Sequence, residues 1–144
     1  MLIGEYIHTI DEKKRISLPV KFRKSLGKQV VLTHGLDSCL FLFTIAEWKK
    51  IGEKLSAMSF LQSDNRSFNR YIFGSAQIVD VDNSGRILLP DHLKDRAKFD
   101  QKVVFIGVSD RVELWNEIAW NTYKTNVEAQ ADGLAEKLSH IGVL

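Results

Sequence analysis

Two Asp-x-x-x-Arg segments, Asp11 to Arg15 and Asp82 to Arg86, hold the side chains best placed to do chemistry in this chain of 144 residues. An aspartate at the head of a polar turn accepts hydrogen bonds from nearby backbone N–H groups. An arginine four residues later offers a planar fork that fits a carboxylate, a phosphate or the edge of a guanine. Around the first pair stand Lys13, Lys14, Lys21, Arg23, Lys24 and Lys28, with no acid between Lys13 and Lys28. The rest of the chain is therefore net acidic, although the whole carries only +2. A basic run of this kind is either a solvated face or the footprint of a polyanion. The stretch that follows the second pair balances Lys94, Arg96, Lys98 and Lys102 against Asp91, Asp95 and Asp100. That asymmetry favours double-stranded DNA as the partner and assigns Lys13, Lys14, Arg15, Lys21, Arg23 and Lys24 to its contacts. Arg15 is expected in the major groove, with the lysines on phosphates. Asp11, Asp82 and Arg86 read as the structural part of the motif, and Arg86 lacks a surrounding basic cluster. Arg66 and Arg70 flank Phe68 and suit either DNA or acidic partners within the assembly.

Other chemistries find little support. His8, His34, His92 and His140 have no metal-ligand spacing, and neither HExxH nor CxxC occurs. There is no GxxxxGK[ST] loop for phosphate. The single cysteine, Cys39, excludes an internal disulfide, and its apolar neighbours suit an inert buried thiol. The expectation is no catalysis, no metal and no cofactor. No apolar run approaches the ~20 residues of a membrane helix, and no signal peptide is visible, so a cytoplasmic protein without membrane contact is expected.

The elements that must position these residues occur twice. Ile7 to Pro19 superimposes on Ile78 to Pro90 at an offset of 71, and Ile, Asp, Arg, Ile, Leu and Pro coincide. After one extra residue in the second copy, Gly35 is expected to fall on Gly107, Leu42 on Leu114 and Trp48 on Trp120. Each copy predicts a strand, the polar turn, a second strand, a proline-started helix, a hairpin and further helix. Phe22 and Leu26 give the first helix an apolar face, and Gly27 is placed to stop it. Helices are also predicted over 64–73 and 118–138. The expected division is a first repeat over 1–50, a helical connector over 51–73, a second repeat over 74–120 and a C-terminal helix over 121–144. A unit of some 55 residues buries little core alone and leaves open strand edges. The expected fold is accordingly mainly β within the α+β class: one pseudo-twofold β-barrel built from both copies, with peripheral helices.

From Gly4 through Arg15, then at Leu18-Pro19, Phe22-Arg23, Gly35 to Leu40, Glu47-Trp48, Arg66, Arg70, Asp82 to Arg86 and Ile106 to Val108, the chain resembles the MraZ family. That resemblance implies two tandem SpoVT/AbrB-type domains forming a swapped-hairpin barrel, and a homo-oligomeric ring. It also implies transcriptional repression through short direct repeats in the protein's own promoter, at the head of a cell-division and cell-wall gene cluster. Association with the nucleoid and with a methyltransferase encoded next door is implied too. One position departs from the family pattern: Lys14 stands where a glycine usually precedes the arginine, as Gly85 still does in the second copy. Lys14 either alters the turn or adds a phosphate contact. The alternative function is a protein–protein module whose basic patch docks an acidic partner.

Overall fold

The computed structural model describes residues 1–143. Four short strands and two helices come from each copy, and one helix lies between the copies. The first copy supplies β1 (Leu2–Thr9), β2 (Arg15–Ser17), α1 (Val20–Leu26), β3 (Gln29–His34), β4 (Leu40–Thr44) and α2 (Ile45–Ser56). After α3 (Ser63–Ser75) come β5 (Gln77–Asp80), β6 (Arg86–Leu88), α4 (Asp91–Arg96), β7 (Lys102–Ser109), β8 (Val112–Asn116) and α5 (Glu117–His140). Pro19 and Pro90 precede α1 and α4, where a missing N–H costs nothing. Phe22 and Leu26 bury the inner face of α1, and Leu93 does so for α4. Two caps extend the repeat beyond what spacing reveals: Thr44 Oγ1 accepts from Glu47 N at 3.1 Å, and Asn116 Oδ1 accepts from Ala119 N at 3.1 Å. α2 and α5 run through the expected divisions at 50/51 and 120/121.

The strands exchange partners between copies. Six of them form one sheet in the order β1-β7-β8-β4-β3-β5, which reads the same when the two copies are interchanged. β1 pairs with β7 of the other copy, Ile7 opposite Val104. β5 pairs with β3 in the same way, Ile78 opposite Val31. The remaining strands, β2 and β6, form a separate antiparallel ladder with Ile16 opposite Ile87. The fold is thus mainly β within the α+β class, with two tandem units, and its two ladders do not join into one closed ring among the described residues.

This exchange places the core between the sheet and the small ladder. Ile16, Leu18, Phe22, Leu32, Leu42, Ile87, Leu89, Leu93, Phe105 and Leu114 all bury there. A second cluster, including Phe41, Phe43, Ile72, Val104 and Trp115, lies on the other side of the sheet under α2, α3 and α5. α3 is fastened by a buried polar knot: Thr33 Oγ1 donates to Ile72 O at 2.5 Å, and His34 N donates to Ser75 Oγ at 3.1 Å.

Strand register corrects one expected equivalence. Lys28 O accepts from Val81 N, and Gln101 O accepts from Ile10 N, so Phe99 and Asp100 are two extra residues ahead of the second hairpin. That hairpin's turn is one residue shorter, closing Val108 onto Arg111 where the first closes Gly35 onto Cys39. Gly107, opposite Val112, therefore matches His34, opposite Leu40, and not Gly35. Its glycine has a separate cause. A Cβ there would lie 2.5 Å from the Leu2 carbonyl carbon and 2.6 Å from Ile3 N, inside the backbone of β1.

Candidate nucleic-acid interface

Each Asp-x-x-x-Arg segment folds into the same closed turn. Asp11 Oδ1 accepts from Lys13 N at 2.8 Å and Arg15 N at 2.9 Å, while Oδ2 accepts from Arg15 Nε at 2.8 Å. Asp82 repeats the set with Ser84 N at 2.9 Å, Arg86 N at 2.9 Å and Arg86 Nε at 3.0 Å. The backbone N–H of each arginine is the main influence holding these carboxyls below the usual aspartate range, helped by the guanidinium itself. The turns also agree at the position where the residue types differ. Lys14 adopts φ 62° and Gly85 φ 77°, so lysine takes the left-handed conformation instead of reshaping the loop.

The strands that follow these turns form the β2–β6 ladder, which presents both arginines outward. Ile16 and Ile87, its central pair, point into the core. Side chains alternate along a strand and paired residues share a face. Arg15, Ser17, Arg86 and Leu88 therefore stand together on the outer face, with Arg15 opposite Leu88 and Ser17 opposite Arg86. Arg15 and Arg86 are diagonal neighbours, about 7–8 Å apart by ladder geometry. Their side chains are 31% and 33% exposed, and each uses Nε for its aspartate. Among the described residues neither guanidinium makes another hydrogen bond, so both forks face solvent with their terminal amines available.

The helices flank this ribbon in crossed fashion. Leu18 N donates to Gly85 O at 2.8 Å and Leu89 N donates to Lys14 O at 2.9 Å, so each helix starts beside the turn of the other copy. The Arg23 guanidinium of α1 lies against Gly85, where an added Cβ would sit 2.5 Å from its Cζ. Arg23 Nε donates to Leu18 O at 2.9 Å. Beside it a depression of about 330 Å³ is lined by Arg23, Lys28, Asp82 and Asn83, among others. On the opposite side Lys14 Nζ donates to Asp91 of α4 at 2.7 Å. Lys13, Lys21 and Lys24 are exposed and have no ion-pair partner among the described residues.

The predicted contacts thus divide between the two ends of one ribbon. Lys13, Lys14 and Arg15 stand at the end near α4, where Asp91 offsets Lys14. Arg23 reaches the opposite end and joins the second turn, and Lys21 and Lys24 share its helix α1. Arg86 has the same bonds and exposure as Arg15, so the geometry draws no line between a reading arginine and an architectural one. The repeated motif was the signal for that equality, and the local charge imbalance obscured it. Arg66 turns away from this surface and donates to Phe60 O and Leu61 O at 3.1 and 3.0 Å. Cys39 is buried, and burial pushes its thiol well above the ordinary range. Among the described residues no group of three or more His, Cys, Asp or Glu side chains is arranged to hold a metal ion.

Comparison with known proteins finds the same two-copy organisation of the chain. The family model described as MraZ protein matches residues 1–71 and again residues 72–139, one match for each copy. A protein of Caldanaerobacter subterraneus subsp. tengcongensis named Transcriptional regulator MraZ is 44% identical over 99% of this chain and 100% of its own length. A protein of the same name from Carboxydothermus hydrogenoformans is 45% identical over 96% of each chain. Another, from Acetivibrio thermocellus, is 41% identical over 99% of this chain and all of its own length.

Proposed function

The chain belongs to the MraZ family, a family of transcription regulators and not of enzymes, and from that premise we propose that it regulates transcription by inserting the β2–β6 ribbon into the major groove of DNA. The observation that carries this reading is the shared outward face of Arg15 and Arg86 on a two-stranded ladder. The major groove admits either an α-helix or a two-stranded β-ribbon, and an arginine fork matches the O6 and N7 acceptors of guanine. Lys13 and Lys14 at one end, and Lys21, Arg23 and Lys24 at the other, then bracket the ribbon with cations for the phosphates on either side. Asp11 and Asp82 brace the two arginines through Nε and leave the outer amines to the base edges.

One ribbon buries little and binds weakly. Affinity comes from several subunits of a homo-oligomer, arranged as a ring, on short direct repeats in the protein's own promoter, where linkage raises apparent affinity by about 10²–10⁴ without new contacts. The exchanged strands support a swapped-hairpin barrel as the rigid body that carries the ribbon. The outcome is repression of the cell-division and cell-wall cluster, in a cytoplasmic, nucleoid-associated protein. No helix among the described residues is long and apolar enough to cross a membrane. A neighbouring-gene methyltransferase as partner rests on family resemblance alone.

Footprinting on the duplex upstream of the protein's own coding region tests the proposal. Protection should fall on short direct repeats and fade steeply as salt rises, because each neutralised phosphate releases counterions. Equal affinity for the upstream and scrambled duplexes would leave only general polyanion binding. Failure to bind either duplex, with an acidic protein retained instead, would establish the interaction-module alternative.

A further inference from the structure

The two ends of the β2–β6 ribbon are alike in backbone and unlike in side chains. At the offset of 71, Gly85 answers to Lys14, Asn83 to Glu12 and Arg23 to Lys94. Gly27 and Lys98, which follow the two short helices, keep the same equivalence with φ 79° and 55°. Lys28 answers to Gln101, because their carbonyls accept from the equivalent N–H groups of Val81 and Ile10. All four exchanges act in one direction.

At the second turn Gly85 has no side chain, and the Arg23 guanidinium covers the space, its Cζ and Nε 2.5 Å from where a Cβ would be. Arg23 Nε is fixed on Leu18 O at 2.9 Å, and among the described residues the guanidinium makes no other hydrogen bond. Its terminal amines are thus free and held beside the 330 Å³ depression, with the exposed Lys28 on the same wall. Asp82 also lines the depression, but its carboxylate already accepts three hydrogen bonds and is paired with Arg86. The first turn offers none of this. Lys14 takes the same left-handed φ, and its Cβ fills the space that an overlying guanidinium needs. Glu12 replaces the neutral Asn83, and the neutral Gln101 replaces Lys28. Lys14 is paired with Asp91 at 2.7 Å, so Glu12 and Asp91 together balance Lys14 and Lys94.

We propose that the depression beside the second turn seats one phosphodiester of the DNA backbone, held by the terminal amines of Arg23 and the ammonium of Lys28, and that the other end of the ribbon has no such seat. This rests on the DNA reading above and names the strand contact within it. A guanidinium held by its own Nε and by the backbone beneath it presents its remaining fork to a phosphate through two hydrogen bonds. Such a contact fixes position and carries no sequence information. With a seat at one end only, each subunit grips one of the two strands. Along direct repeats the gripped strand is the same one every time.

Single methylphosphonate substitutions, each removing the charge of one phosphate from a repeat-bearing duplex, test the seat by fluorescence anisotropy with the full chain. For the parent, substitution beside each repeat on one strand should weaken binding by about tenfold, the worth of a charge-assisted pair of hydrogen bonds. Substitution on the other strand should change it by less than about threefold, as for exposed ionic contacts. Arg23→Gln should lower affinity for the unmodified duplex by about tenfold and erase the strand-specific loss. Lys28→Gln alters an exposed side chain with no bond inside the fold, so it should reduce the same loss while the thermal melt stays parental. Equal losses on both strands, or a parental map in both variants, would overturn the seat while leaving the DNA reading intact. A parent that binds repeat-bearing and scrambled duplexes alike would overturn the reading on which the seat rests.

Discussion

Replacing Arg15 or Arg86 by alanine separates recognition from architecture. Both guanidiniums are about one-third exposed and pair with aspartates that face water, so screening leaves little stability to lose. The aspartates also keep their two backbone donors when the arginine is removed. The melting temperature of either variant should therefore stay within about 3 °C of the parent for a chain of this size. Binding should behave differently. A bidentate arginine on guanine is worth about 1–3 kcal/mol of discrimination, a loss of roughly 5- to 150-fold per ribbon. On a duplex with two repeats the factors multiply, and the specific complex should fall towards the affinity for scrambled DNA. Fluorescence anisotropy with repeat-bearing and scrambled duplexes at several salt concentrations measures both quantities. Arg15→Ala and Arg86→Ala should narrow the ratio between duplexes, whereas Lys21→Ala should weaken both alike and lower the salt slope by about 1. A parental ratio in Arg15→Ala would refute base reading by this fork. A large loss in Arg15→Ala beside a parental Arg86→Ala would refute the shared ribbon face, because the structure gives the two arginines the same bonds and exposure.

Three further outcomes follow from packing and titration. Gly107→Ala drives a Cβ into the β1 backbone and should destabilise by about 1–3 kcal/mol, whereas Gly133→Ala, with nothing within 4 Å, should stabilise α5 by about 0.5–1 kcal/mol; chemical denaturation midpoints should move in opposite directions. Native Cys39 should react with iodoacetamide at pH 8 at least about 100-fold more slowly than in denaturant, because burial keeps the thiol protonated. Asp11 and Asp82 have folded carboxyls held below their unfolded values, so their stabilisation is complete above about pH 4 and disappears as pH falls through the lowered folded values. Asp11→Asn should flatten part of that acid limb in a pH series of thermal melts, and an unchanged limb would show that the turn does not contribute.

Local chemistry made the elements legible, and non-local pairing decided the site. The polar turns, the proline-started helices and the hairpins each rest on residues a few positions apart, and all of them form, the second hairpin with its turn beyond Gly107 because β7 runs on to Ser109. Helix 64–73 appears as Ser63–Ser75 and helix 118–138 as Glu117–His140. Strand exchange depends on pairs far apart in the chain, such as Ile7 with Val104, and no local pattern specifies which copy supplies the partner. For the same reason the basic run from Lys13 to Lys28 reads as one patch along the chain, yet folds onto two ends of a ribbon. The two extra residues ahead of the second hairpin and the residue missing from its turn partly cancel, so an offset of 72 at Leu114 and Trp120 conceals a register in which Gly107 answers to His34.

The exchange also explains how a balanced chain can present a cationic surface. Had each helix packed beside its own turn, the first unit would hold nearly all the basic side chains and the second would hold a neutral mixture. Crossing the helices instead sets Arg23, with Lys21 and Lys24 on the same helix, beside the second turn, and sets Asp91 beside Lys14 at the first. In the proposed docking, the Lys14–Asp91 contact competes with phosphate at one end of the ribbon only. Asp91→Asn frees the Lys14 ammonium without touching the fold of the turn, whose closing bonds come from Asp11. It should tighten binding to both repeat-bearing and scrambled duplexes and raise the salt slope by about 1. An unchanged slope would mean that the first end of the ribbon lies clear of the phosphates, and the docking proposed for it would be wrong.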